Sequence, residues 1–182
     1  MNKLTGYIKQ FEYYKGLGYK TIASLTFEEL QKEFVKDTNS VAIIVKHLSG
    51  NMLSRWTNFL TEDGEKKWRH RDLEFIDSFT SKDELLNSWN NGWNCLFDAL
   101  NSISDNDLDR IIYIRNEGHT IEEAIKRQLA HYSYHVGQMV FLGKLIKGKH
   151  WQSLSIPKGE SAQYNAKKFL GTKGTHRFKD KP

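Results

Sequence analysis

Residues 120–138 read TIEEAIKRQLAHYSYHVGQ, and the periodicity of this stretch decides the fold. Thr120 is followed three positions later by Glu123, the spacing of a capping box, in which hydroxyl and carboxylate each satisfy an amide donor left unpaired at a helix start. After the cap, Ile121, Ile125, Leu129, Tyr132 and Val136 recur at helical spacing, so the stretch predicts a helix with one apolar face. His131 and His135 lie one turn apart on a second stripe, shared with Ala124, Gln128, Gln138 and Leu142, at the edge of that face. Two neutral imidazoles there would each need a hydrogen-bond partner, whereas a divalent cation engages both lone pairs at once.

The same start signal occurs twice more, at Thr26 with Glu29 and at Ser81 with Glu84. Phe27, Leu30 and Phe34 follow the first, and Leu85, Trp89, Trp93, Leu96 and Leu100 follow the second. A further helix is expected from Asn39 or Ser40 to about Leu60, with Val41, Ile44, Leu48, Met52 and Phe59 inward. A first helix is expected over Leu4 to Ala23, where Gly16 and Gly18 each cost about 1 kcal/mol relative to Ala. Four long helices and one short one result. The segment DRIIYIRNEGHT, residues 109–120, alternates apolar and polar residues around a Gly and predicts a small hairpin. Residues 61–80, TEDGEKKWRHRDLEFIDSFT, form a long polar connection whose Trp68, Phe75 and Phe79 predict packing on the helices.

The 182 residues suffice for one domain with a single core, and 13% aromatic residues exclude a disordered chain. Cys95 is the only cysteine, so no internal disulfide forms and any metal must rest on imidazole and oxygen ligands. It shares a stripe of small residues with Ser88, Gly92 and Ala99, which lets another helix approach closely and makes Cys95 a packing residue rather than a nucleophile. The first twenty residues lack the apolar core of a signal peptide, and no run approaches the roughly 18 apolar residues of a membrane span. A cytoplasmic protein without membrane contact is expected. The net charge of +5 is uneven: from residue 144 onward ten Lys and Arg face only Glu160 and Asp180, while residues 1–143 carry 17 basic and 20 acidic side chains. The chain is therefore read as a body over 1–147 and a basic extension over 148–182, packed on that body. Trp151, Tyr164, Phe169 and Phe178 in the extension would suit phosphates and bases, but a solvated tail over an acidic surface explains it more simply, and nucleic acid is the weakest partner reading.

A third imidazole, His47, follows VAIIVK in the second long helix. By itself it reads more simply as a core histidine bonded to a backbone carbonyl. His70, His119, His150 and His176 fall in expected loops or the tail and are read as surface residues. A metalloprotease helix is excluded because Tyr132, not Glu, follows His131, and neither a phosphate-binding glycine loop nor a G-x-S-x-G elbow occurs.

One His in the second helix of a bundle and His-x-x-x-His in the last resembles the DinB/YfiT superfamily of metalloenzymes. The segments VKHLSGNMLSRWTNFLTEDGEKKWRHRDLEF and HYSYHVGQMVFLGKLIKGKHWQSLSIPKGES are similar to one uncharacterised bacterial branch of it. The resemblance implies an all-α four-helix bundle with a long connection between its halves, homodimer assembly, and a site for nickel, zinc or iron at His47, His131 and His135. Relatives of known activity transfer or isomerise small molecules with bacillithiol, mycothiol or glutathione, so the expected activity is metal-dependent, a low-molecular-weight thiol S-transferase or a hydrolase acting on a small molecule. No thiol-binding residue can be matched here, and a non-catalytic metal-binding or stress-response protein is the alternative. Three histidines leave a coordination position open to water or substrate. Asn51, one turn after His47, and Gln138, after His135, are candidates to orient ligands or substrate, and Arg55 to attract an anionic thiol or carboxylate. For these three, an ordinary satisfied polar residue is the competing reading.

Overall fold

Ser40 accepts the Ile43 amide at 3.2 Å through its hydroxyl, and from that cap helix α3 runs over Val41–Trp56. The computed structural model describes residues 3–173, and most of them are helical. Helix α1 spans Lys3–Ser24, α2 Phe27–Leu30, α4 Lys82–Asn101, α5 Ile121–Lys147 and α6 Ser161–Phe169, and a single antiparallel pair joins β1, Ile111–Ile114, to β2, Glu117–Thr120. Helix α3 packs on α4 and α5, and α1 packs on α5 and α4, so the four long helices enclose one core. Phe11, Leu48, Met52, Trp89, Trp93, Tyr132 and Val136 meet in it. The apolar stripe of α4 from Leu85 to Leu100 is buried throughout.

Small residues set the helix separations. A Cβ on Gly92 would stand 2.8 Å from the Ser49 Cα, so α3 and α4 touch backbone to backbone there, and the Ser49 hydroxyl donates to the Ser88 carbonyl at 2.8 Å. Helix α1 continues unbroken through Gly16 and Gly18, with the Trp89 ring lying where a Gly18 side chain would be. Cys95 is half-buried beside Thr57, and burial pushes its thiol pKa up, partly offset by the Thr57 hydrogen bond.

Several boundaries differ from expectation. Helix α3 stops at Trp56 rather than near Leu60, because Thr57 is extended and Asn58 turns to φ 47°. Helix α2 lasts one turn, and Phe34 is exposed rather than inward. At Ser81 the box is half made: the hydroxyl accepts the Glu84 amide, but the Glu84 carboxylate takes the amide and hydroxyl of Thr80. Thr26 and Thr120 carry complete boxes. The hairpin forms, with its turn at Arg115 and Asn116, φ 58° and 62°, the two left-handed residues of a type I′ turn, while Gly118 sits within β2. His119 lies in β2, half-buried, with its Nε2 shielded from solvent, rather than on a surface loop.

The connection between α3 and α4 packs inward at Phe79 and Phe75, whereas Trp68 is exposed. It is pinned to the hairpin: the Asp63 carboxylate accepts the Arg115 and Asn116 amides, both at 2.8 Å, and the Gly64 amide donates to the Tyr113 carbonyl at 2.8 Å. Beyond α5, Trp151 rests on Gly143 and α6 is exposed. His176 and Phe178 lie outside the described residues. Among the described residues no helix is long and apolar enough to cross a membrane.

Candidate functional site

Two capped helix starts set the positions of three imidazoles. From Ser40, His47 falls two turns into α3; from Thr120, where β2 runs directly into α5, His131 and His135 fall on one face three and four turns along. The three ring centroids are 4.8 to 5.4 Å apart. One ring nitrogen of each lies within 4.8 Å of the others, and His47 Nε2 stands 3.3 Å from His131 Nε2.

Each ring is held by an oxygen on its other nitrogen. His47 Nδ1 donates to Glu74 Oε2 at 2.9 Å, His135 Nδ1 to Gln138 Oε1 at 2.8 Å, and His131 Nδ1 to Gln128 Oε1 at 3.4 Å. An oxygen acceptor at Nδ1 fixes the proton there and leaves Nε2 as a lone pair. In that tautomer two lone pairs face each other at 3.3 Å and repel unless a proton or a metal cation lies between them. Nitrogens bound at about 2.0–2.1 Å to one tetrahedral ion stand roughly 3.3 Å apart, so the His47–His131 pair already has the spacing of two ligands. Burial first, then the neighbouring His135 and His47, push the His131 pKa down to about 3. Burial also lowers that of His135, against a partly opposing Gln138 hydrogen bond. Neutral rings are the form that donates to a metal.

Glu74 comes from the connection, in a short 3-10 turn over Arg71–Phe75. Its carboxylate accepts Arg69 Nε at 2.7 Å and Arg69 Nη2 at 2.9 Å in addition to His47. Burial opposes ionisation of Glu74, but the hydrogen bonds from His47 and Arg69 outweigh it and hold the pKa below the usual carboxylate range. Gly50 makes room for it: a side chain there would collide with the Glu74 carboxylate. Phe75 stacks on His47 with centroids 4.9 Å apart.

Of the other residues singled out from the sequence, Gln138 holds His135 directly. Asn51 bonds none of the three histidines; its Oδ1 accepts the Tyr132 hydroxyl at 3.0 Å, and the Tyr132 hydroxyl oxygen in turn accepts Trp56 Nε1 at 3.2 Å. Arg55 is buried and committed to the Gly64 carbonyl and to Glu65, 3.1 Å away. Both still line the cavity of about 410 Å³ over the three histidines. Sequence reasoning missed Glu74 and Arg69, which lie in a stretch without periodicity, and it placed Gln128 on the stripe without giving it a role. The one local hint of Glu74 is its place between the apolar Leu73 and Phe75.

A family model described as a protein of unknown function, DUF1572, matches residues 1–160. No curated protein and no solved structure matches the chain.

Proposed function

The chain belongs to the DUF1572 family of proteins of unknown function, and from that premise we propose that it binds one divalent metal ion through His47, His131 and His135 and acts on a small molecule beside it. The observation that carries this reading is the shared anchoring of the three rings, each with Nδ1 on an oxygen and Nε2 left for a cation. A structural histidine needs one such partner, not two neighbours with unused lone pairs. We read the four long helices as a four-helix bundle of the DinB/YfiT kind over residues 1–147, with 148–182 as its basic extension. The seating of Trp151 on Gly143 supports packing of the start of that extension on the bundle.

Zinc, nickel and iron all suit imidazole. A divalent ion with three protein ligands supplies Lewis acidity and lowers the pKa of a coordinated water or thiol. The chain itself supplies the rest. Glu74 and Gln138 fix ring orientation, Phe75 walls one side of His47, and the cavity admits substrate next to the rings. Transfer of a small thiol to an electrophile is the reaction we favour: the thiol would lose its proton to solvent, a carbon–sulfur bond would form, and the acceptor carbon would release a leaving group with its electron pair or open a strained ring.

Elemental analysis of protein purified without a metal-affinity tag tests the site. One metal per chain in the parent, with loss in both His47→Ala and His131→Ala, is expected; stoichiometric metal in both variants refutes it. A metal-dependent rate with bacillithiol, glutathione or cysteine and an electrophilic acceptor supports transfer, and its absence from fully loaded protein favours a non-catalytic role.

A further inference from the structure

The wall of the cavity over the three histidines is arginine. Arg55, Arg69, Arg71, Arg115 and Arg127 all line it, and among the described residues no Asp or Glu does. Two carboxylates stand behind them, and both are shared. Glu65 faces Arg55 at 3.1 Å, Arg69 at 3.4 Å and Arg115 at 3.1 Å, while Glu74 takes both Arg69 and His47. Asp72 stands 4.0 Å from Arg71 at the solvent edge and Asp63 lies near Arg55, so the five guanidinium groups outnumber the carboxylates that face them and leave the concavity net positive.

Two of the exposed members, Arg71 and Arg127, are the least paired, whereas Arg115 meets Glu65 through both Nε and Nη2, at 3.2 and 3.1 Å. Arg127 has no ion-pair or hydrogen-bond partner among the described residues, and it lies one turn before His131 on α5. Arg71 has only Asp72 at 4.0 Å, with Asp72 fully in water; its guanidinium instead lies 5.0 Å over the Phe75 ring, which itself stacks on His47. That stack holds a planar fork beside the imidazoles. Arg115 is carried on the left-handed hairpin turn that Asp63 pins, so its position is set by backbone hydrogen bonds. Cationic clefts concentrate the field and attract counter-ions, and the guanidinium fork matches two oxygens of a carboxylate or phosphate.

We propose that this cavity recognises a small molecule bearing at least two oxyanion groups, carboxylate or phosphate, gripped by Arg71 and Arg127 beside the three histidines, with the Glu65-bound Arg115 lining the same wall. A volume of about 410 Å³ is at the lower end of ligand pockets, which fits a metabolite-sized molecule and not a polymer. The inference rests on the reading above only in naming the histidines as the reacting end. Anion capture itself needs no metal.

The test is calorimetric titration of the full chain, stripped of metal, with inorganic pyrophosphate and separately with succinate at low ionic strength. Saturable binding of at least one is expected, weakened tenfold or more in Arg71→Gln/Arg127→Gln and weakened also by added salt. Tighter pyrophosphate binding identifies a phosphorylated ligand and tighter succinate binding a dicarboxylate; either upholds the site. Arg110→Gln, a surface arginine paired with Asp107 outside the cavity, is expected to bind as the parent does. Arg127→Lys, which keeps the charge without the fork, is expected to bind with intermediate affinity. Failure of both probes to saturate, unchanged affinity in the double variant, or equal weakening by Arg110→Gln overturns the proposal. Stoichiometric metal with no anion binding defeats this inference alone, and anion binding by a chain that takes up no metal defeats the metal reading alone.

Discussion

Replacing Glu74 by Gln keeps the side chain's size and removes its charge. The Arg69 side chain is only 2% exposed and its partner Glu74 8%, so the substitution leaves a buried guanidinium with Glu65 at 3.4 Å as its remaining counter-charge. Removing one member of a buried pair costs about 3–5 kcal/mol, and because Gln still offers one acceptor oxygen the lower end, about 3 kcal/mol, applies. For a chain of this length 1 kcal/mol moves the midpoint by about 2–4 °C, so thermal unfolding followed by circular dichroism should fall by roughly 6–12 °C. Glu74 also holds His47, and loss of such an orienting partner weakens metal binding by about 10–100-fold, measurable by competition with a chromophoric chelator well below the melting transition. The two effects separate in Arg69→Met/Glu74→Gln. Removing both charges restores most of the stability, since no buried charge is left alone, while the metal affinity stays at the level of Glu74→Gln. A Glu74→Gln protein that melts within about 2 °C of the parent, or that binds metal equally well, refutes the role given to this carboxylate.

Three further outcomes are expected. His131 and His135 titrate lower in the folded chain than in the unfolded one, so between about pH 6.5 and 3 the unfolded state holds more protons; metal-free stability is therefore full above that window and declines as pH falls into it, and His131→Gln should flatten the decline seen in melts at stepped pH. Gly92→Ala forces α3 and α4 apart at Ser49, where backbone meets backbone, and should lower the urea midpoint by an amount equivalent to about 1–3 kcal/mol; a variant as stable as the parent contradicts the close approach. Cys95, half-buried with its thiol pKa pushed up by desolvation, should react with a thiol reagent at least about tenfold more slowly in the native chain than in urea, and equal rates would show that the thiol is open.

The four long helices were legible because their signals are local. A hydroxyl at the cap, a carboxylate three residues on and an apolar residue every third or fourth position are satisfied within one segment, as at Thr120 and along Leu85 to Leu100. The hairpin was legible too, although its turn fell on Arg115 and Asn116 rather than on the Gly. Local signals failed where another part of the chain decided the outcome. Asn58 ends α3 early, and the following loop is then drawn to the hairpin by Asp63, a pairing 52 residues apart with no counterpart in periodicity. Trp68 stays in solvent although the loop around it packs, because neighbouring Arg69 and nearby Glu74 take the inward places.

The site divides in the same way. Sequence by itself determined that His131 and His135 share one helix face, because four residues make one turn, and that His47 sits two turns into a capped helix. Only tertiary structure decided that His47 meets His131 across 84 residues, that Glu74 reaches His47 across 27, and that five arginines from four separate regions face one cavity. Residues one turn apart are fixed by backbone geometry, but charges and lone pairs distant along the chain are brought together only when burial of the shared core fixes the helices that carry them.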